Sequence, residues 1–507
     1  MTDEHAHDNK WWTLAAVCVA TFMLLIDITI VNVALPSIRD SLGASFSDLQ
    51  WVIDAYALTL AAFLLTWGAT SDRLGRRFIF VIGLAIFVAA SLGCALSGSP
   101  LVLNLARGVQ GIGAAAMFAT SLALLASAFH GPERGTAVGI WGATIGAAVA
   151  IGPLVGGVLT ESIGWESIFY INVPIGIGAI YIALTRVAES KDRNAGPPDW
   201  PGLVTFSTGL FLLIFALVRG NPEGWGSPLI VGFLVGAVVL LVAFVAIEAR
   251  SEHPMFDLAL FRVPTFCGAS IAAFVLSAGM FAMFLYVTLY IQNSLGYSPL
   301  HAGLRFLPLS LLSFFVAPVA GRLSARVPIR ALIGGGLVLT GVALLLMRGL
   351  NASSEWTALL AGFCVAGVGI ALVNAPLAST AVSVVPPERA GMGSGINSTF
   401  RQVGIATGTA ALGALFQGLL SHRATGRLAH VPAEVLAQGR PQVAGPGGRE
   451  AYLALFTGAL NDLFLVGAIT AFVGAVLSFA LIRQRDYIVS GPGLAAAEQP
   501  EADVAAA

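Results

Sequence analysis

The chain is short of charge. Only 10% of its 507 residues are Asp, Glu, Lys or Arg, against roughly 25% in an ordinary soluble domain. Lysine is nearly missing, with Lys10 and Lys191 the only two. A net charge of −1 with 57% apolar residues excludes both an ordinary soluble domain and a basic nucleic-acid binder. Paired cysteines are absent too. Cys18, Cys94, Cys267 and Cys364 each stand alone in an apolar run, as buried, reduced packing residues do. The seven histidines are scattered, so no metal site is expected. There is no GxxxxGK[ST] and hence no nucleotide-binding loop. Any pumping must draw on an ion gradient, and no cofactor is expected. One proton descending ~100 mV supplies ~2.3 kcal/mol, and each pH unit adds ~1.4 kcal/mol.

Long apolar runs fill the chain instead. A spanning helix needs about 20 apolar residues, and runs of that kind number roughly fourteen, from 12–35 to 461–482. The first is too long for a signal-peptide core and is expected to stay as a span. With the N-terminus inside, the inner connections carry Arg73, Arg76, Arg77, Arg134, Arg186, Lys191, Arg193, Arg250, Arg262, Arg322, Arg326, Arg330 and Arg389. Only Arg39, Arg219 and Arg348 fall in short outer loops, so both termini are expected in the cytoplasm.

The chain also repeats itself. PERG at 132–135 recurs as PERA at 387–390, GIG at 111–113 as GVG at 367–369, and GATSDRLGRR at 68–77 as GRLSARVPIR at 321–330. The three matches share an offset of about 255 residues and join loops or spans of equivalent sidedness. Parallel six-span repeats put a substrate site between the halves near the bilayer midplane. The expected fold is therefore an all-α membrane protein of two six-helix bundles, 1–188 and 263–486, with two extra central helices in a linker, 189–262. A polar outer loop near 421–460 is expected to hold a short helix or hairpin, and 487–507 to be a disordered tail.

Four ionisable residues lie well inside these runs: Asp27, Asp54, Arg107 and Arg401. At 1.5 Å per residue, Asp27 is ~13 Å below Pro36, Asp54 ~8 Å below Leu49 and Arg107 ~10 Å below Pro100. The two acids and the base should share the outer half of the first bundle. Arg401 is the lone deep charge of the second half. Asp27 is either a proton-exchange or substrate carboxylate, whose neutral form burial favours and whose charged form a cation favours, or half of a static ion pair with Arg107 or Arg401. Asp54 is a second substrate candidate nearer the outer interface. Arg107 heads a polar stripe with Asn104, Gln110 and Gly111; structural pairing and proton-relay control both suit it.

The loop GATSDRLGRR reads as a cytoplasmic turn. Gly68 and Gly75 allow close approach, and Asp72, Arg73, Arg76 and Arg77 can form ion pairs or simply anchor the inner face. The second copy has lost the acid, at Ala325, and a glycine, at Pro328. The fifth run, GIWGATIGAAVAIGPLVGG, carries small residues at Gly139, Gly142 and Gly146, a break at Gly152-Pro153, and Gly156-Gly157 beyond. Small residues permit close helix contact and proline bends a helix, so a gating hinge and a packing face are both compatible.

At these residues the sequence resembles the fourteen-helix drug:proton antiporters of the major facilitator superfamily. The resemblance covers essentially the whole chain. IDITIVNVALP is similar to that branch's first-helix signature, the 68–77 loop to the superfamily loop motif, RGVQGIGAA from Arg107 to the fourth-helix motif, and the fifth run to the antiporter motif. The resemblance implies the major facilitator fold, proton or cation handling at Asp27, substrate contact at Asp54, proton-coupling support at Arg107, gating at Asp72 and Arg73, and a bend at Gly152 and Pro153. After span 5 the family often has a Trp-Arg-Trp-like run, whereas this chain has Trp165-Glu166-Ser167, which puts the outer end of span 6 in doubt. The expected function is export of amphipathic drugs or antibiotics across the cytoplasmic membrane in exchange for protons, by a monomer. Asp27, Asp54 and Arg401 are the substrate candidates. Export of one metabolite, such as an amino acid, sugar or siderophore, is the alternative. An intramembrane transferase would need an acidic catalytic cluster, and none is apparent.

Overall fold

In a computed structural model, residues 2–487 are described except 130–131, 192–198, 252, 253, 255, 325 and 386–389. Long helices run through this set: α1 Thr2–Leu42, α2 Phe46–Leu74, α3 Arg76–Ala95, α4 Pro100–Ala128, α5 Pro132–Ser162, α6 Ser167–Arg186, α7 Trp200–Glu223, α8 Pro228–Glu248, α9 Pro264–Ser294, α10 Pro299–Leu323, α11 Ile329–Met347, α12 Leu360–Ser383, α13 Ala390–Arg423 and α14 Arg449–Leu481. Among the described residues thirteen are long and apolar enough to cross a membrane, and α5, 31 residues long, packs beside them on α1 and α10. Parts of the sequence reading fall outside the described residues: Arg193, Ala325, Arg389, nearly all of PERA 387–390 and the tail after 487.

Local chemistry sets the helix ends. Ser45 and Asp48 form a reciprocal capping box at the start of α2, and Ser99, Asp199, Ser227 and Ser298 accept backbone N–H groups at the starts of α4, α7, α8 and α10. Each cap satisfies a donor that the helix itself leaves free. The long sides are apolar outward: Val235, Val238, Val239 and Val242 of α8 and Val466, Ile469, Val473 and Val476 of α14 are exposed. Such faces are stable only against lipid or another apolar surface.

Close helix approach sets the packing. A Cβ on Gly111 of α4 would collide with Thr59 and the Tyr56 carbonyl of α2, and one on Gly113 would lie 2.6 Å from the Phe87 nitrogen of α3. The second copy repeats this: Gly367 of α12 abuts the Leu309 carbonyl of α10, and Gly369 the Gly336 carbonyl of α11 at 2.8 Å. The repeat seen in sequence is thus a repeat of helix contacts. The halves meet along two seams, α5 on α10 and α2 on α13. Helices α7 and α8 pack on each other, and α7 lies against both α2 and α13. Ser207 of α7 donates to the Ala62 carbonyl of α2 at 2.8 Å, fixing this pair at the second seam.

Two expectations need correction. The outer loop between α13 and α14 is shorter than 421–460, because α13 runs on to Arg423 and α14 starts at Arg449, and of the two forms expected it takes the short helix and not the hairpin. Between them are a turn of helix at Ala433–Leu436 and 3-10 turns at Gly426–His430 and Pro441–Ala444. The expected break at Gly152-Pro153 is absent, since α5 is helical throughout Pro132–Ser162. Proline there removes one hydrogen bond, and dense packing on two neighbours, described below, holds the helix together. Beyond α14, Asp486 accepts from the Thr265 nitrogen and hydroxyl at the start of α9. Burial pushes the Tyr487 hydroxyl up to about 12, so it stays neutral beside Thr380 at 3.1 Å.

Candidate transport site

Asp27 and Arg107 come together in the first bundle. Each side chain is 1% exposed, and Arg107 Nη1 lies 2.5 Å from Asp27 Oδ2. The other carboxylate oxygen accepts from Gln110 Nε2 at 2.9 Å and Asn172 Nδ2 at 3.0 Å. Arg107 also donates to the Val52 carbonyl of α2 at 2.9 Å and to Gln110 Oε1 at 2.6 Å. Its guanidinium lies over the Tyr56 ring, 4.3 Å from the centroid. Ser91 of α3 closes the set, accepting from Gln110 at 2.8 Å. Five helices, α1, α2, α3, α4 and α6, meet in this network around the Asp27–Arg107 pair. A buried ion pair persists only if its remaining donors and acceptors are met, and here they are.

The expected trio at one depth does not assemble. Asp54 is 6% exposed and makes no hydrogen bond or ion pair with this network among the described residues. It lies instead in the field of Tyr286 of α9, whose hydroxyl donates to the Thr409 carbonyl of α13. Periodicity explains the split: Val52 faces α4 with its carbonyl, and two residues on, about 200° around the helix, Asp54 faces the other half. Arg401 does not pair with Asp27 either. It donates to Asn374 of α12 at 3.0 Å and lines an inner cavity with Trp141 of α5, Asn397 and Ser398.

The main cavity lies between the halves. Its walls carry Thr29, Asn32 and Val33 of α1, Ile53 of α2, Pro153 of α5, Phe281, Phe284 and Thr288 of α9, Phe306 and Ser310 of α10, and Thr409 of α13. This mixture of aromatic faces with single hydroxyls and amides suits an amphipathic ligand. Its volume is about 100 Å³, well under the roughly 300–1,000 Å³ of drug-sized sites, so the helices must part to admit one. Residues Thr29 and Asn32, on the turn after Asp27, line this cavity, so α1 carries the ion pair on one face and the cavity wall on another. Gly152 meets Thr29, Gly156 meets the Ile30 backbone with 3.1 Å to a would-be Cβ, and Gly303 of α10 presses on the Pro153 carbonyl. Gly157 is buried beside them. The pair Gly152-Pro153 is a three-helix contact of α1, α5 and α10.

On the inner face, Arg76 pairs with Asp72 at 2.8 Å, and Ser71 donates to the carbonyl of buried Gly68. Arg73 lies in the field of Asp199 and Asp72. Gly75, at φ 123°, ends α2, in a region where a side chain is strained. Glu189, from the chain after α6, caps this turn: its oxygens accept from the Arg77 and Phe78 nitrogens at 3.0 and 3.1 Å. In the sequence Glu189 is only the first residue of the linker 189–262. Asn172 and Ser91 carry no charge, so nothing but polarity marks them within an apolar run. An amide at the start of span 6 was the available signal. The doubtful outer end of that span is ordered: Trp165 is buried and the Phe169 ring faces Arg107 at 5.8 Å.

Comparison with known proteins identifies the family. The family model Major Facilitator Superfamily matches residues 17–409. The chain is 38% identical over 410 residues to the multidrug resistance protein Stp of Mycobacterium tuberculosis, covering 81% of this chain and 76% of that protein. It is 35% identical over 408 residues to the tetracenomycin C resistance and export protein of Streptomyces glaucescens, covering 80% and 76%. Its fold resembles that of a bacterial homologue of the lysosomal transporter Spinster solved inward-facing and unoccupied, with TM-score 0.60 and 19% identity over 95% of this chain and 99% of that one. The chain belongs to the Major Facilitator Superfamily and is a multi-pass membrane transporter.

Proposed function

We propose that this transporter exports amphipathic drugs or antibiotics across the cytoplasmic membrane in exchange for protons, working as a monomer with both termini in the cytoplasm. The observation that carries the reading is the dry Asp27–Arg107 pair on a helix whose next turn lines the cavity between the halves. Relatives named for multidrug resistance and for tetracenomycin C resistance and export support the substrate class. In this cycle a proton neutralises Asp27 and Arg107 is released toward Val52, Gln110 and Tyr56. The contact of α1 with Gly152 and Pro153 then carries the shift to the α5–α10 seam. Asp54 and Arg401 offer opposite charges to a ligand from opposite halves, while Asp72, Arg73, Gly75 and Arg76 fix the inner turn as the two bundles rock.

In proteoliposomes, Asp27→Asn should abolish transport driven by an imposed pH gradient and keep exchange of labelled for unlabelled drug. Asparagine can keep the Arg107 contact through its carbonyl oxygen but cannot gain or lose the proton. Wild-type pH dependence in that variant would overturn the assignment.

A further inference from the structure

A second, smaller cavity lies outward of the main one, and the two share the side chains of Ile53 and Leu285. Its roof is the segment between α13 and α14. That segment is docked on the second half, where Asn293 and Ser294 donate to the Gln438 and Gly439 carbonyls at 2.7 and 2.9 Å. It also reaches the first half: Arg39 Nη1 donates to Gln438 Oε1 at 2.9 Å, and Arg440 lies 3.6 Å from the exposed carboxylate of Asp40. Both guanidiniums line the cavity, against Leu35 and Leu49. Among the described residues Arg39 makes no ion pair, and Asp40, in whose field Arg39 also lies, is the only carboxylate paired with Arg440. Two cations over an apolar floor with one solvated counter-charge are a poor way to close a membrane protein. They are a good seat for an anion.

Resting on the export reading, we propose that this cavity is an exit subsite, which takes the acidic or strongly accepting group of an amphipathic substrate between Arg39 and Arg440. Its volume of about 40 Å³ exceeds the roughly 10–15 Å³ needed for one water, so it fits a carboxylate or sulfonate but not a whole drug. The apolar remainder of the ligand lies against Leu35, Leu49 and Leu285, along the path from the main cavity. Occupation of the seat competes with Gln438 and Asp40 for the two arginines, which frees the roof from the first half.

Equilibrium binding to the full chain in lipid nanodiscs tests this with two fluorescent probes, anilinonaphthalene sulfonate and its uncharged parent phenylnaphthylamine. Saturable sulfonate binding above empty nanodiscs is expected, weakened roughly tenfold or more in R39Q/R440Q, as loss of a charged hydrogen bond implies. Binding of the uncharged parent should not change. The charge-keeping R39K/R440K should retain sulfonate binding, which separates charge from a folding defect. An absence of saturable sulfonate binding, or an equal loss for both probes in R39Q/R440Q, would overturn the proposal. The measurement needs no gradient, so failure of the proton-coupling reading would appear in flux alone and would leave this binding result standing.

Discussion

The two six-helix repeats share a backbone device and differ in what they pack around it. Gly111 and Gly367 let the fourth helix of each set touch the second, and Gly113 and Gly369 let it touch the third. Four residues before the first glycine of each pair stand Arg107 and Phe363, and one residue before it stand Gln110 and Ala366. The first core is a charged network; the second is aromatic, with Phe363 5.2 Å from Phe306 and Phe306 5.8 Å from Phe284. Phe306 and Phe284 then line the main cavity. One scaffold thus appears twice, once around a titratable group and once behind a binding surface. In the proposed cycle this asymmetry separates the energy-coupling element from the aromatic wall of the cavity, so that the second half's share of the substrate surface can vary without disturbing the first core.

The largest expected effect comes from giving the first core the character of the second. Arg107→Met leaves Asp27 buried without its charge partner, a loss of about 3–5 kcal/mol, and should abolish proton-driven flux. Thermal unfolding in detergent and proteoliposome flux read the two parts. Its counterpart, Phe363→Ala, opens a cavity behind Phe306 and costs about 3 kcal/mol. It should alter which drugs are carried while the pH dependence of flux stays that of the wild type. If Phe363→Ala shifted the pH dependence as well, the separation of roles would fail.

A smaller effect tests the shared device. Gly111→Ala and Gly367→Ala each force a methyl group into a neighbouring helix backbone, where overpacking costs about 1–3 kcal/mol. Because the contacts are equivalent, the two losses should be alike in unfolding temperature. A loss confined to one half would mean that the repeat is one of sequence alone.

The helices, the repeat and the deep position of Asp27 and Arg107 were legible because each has a one-dimensional signature: apolar length, a fixed offset, a charge where none is cheap; which arginine meets Asp27 stayed open between Arg107 and Arg401. What it hid was carried by uncharged or distant partners. Asn172 lies 145 residues from Asp27 and is an unremarkable amide until α6 folds back. The divergence of Asp54 from the pair is a matter of helix phase across a seam, which depth along a span does not record. The outer segment is shorter than 421–460 because α14 begins with the apolar stretch 451–460 and carries the polar pair Asn461-Asp462 inside the helix, where such a pair reads as the end of a loop. Arg39 of α1 and Arg440 of this segment acquire meaning only when Gln438 and Arg440 are seen against Arg39 and Asp40.

The finest contrast between the halves is at the inner turns. In the first repeat, Glu189 holds the start of α3 through two backbone N–H groups and lies 3.8 Å from Arg77 Nε. In the second, Pro328 precedes α11 and no side chain caps it. A carboxylate at a helix N-terminus both fills free donors and meets the positive end of the helix dipole. Glu189→Gln removes the charge and replaces one accepting oxygen by a donor, so it should cost about 1 kcal/mol. Pro328→Ala loses only the stiffness of one turn, less than about 1 kcal/mol. The distinguishing measurement is the labelling rate of a cysteine placed at Arg77 by a membrane-impermeant thiol reagent from the inner face. That rate should rise when Glu189→Gln is added, because the turn opens more often. Pro328→Ala should leave it unchanged, since the first inner turn owes its order to Glu189 and not to the second half.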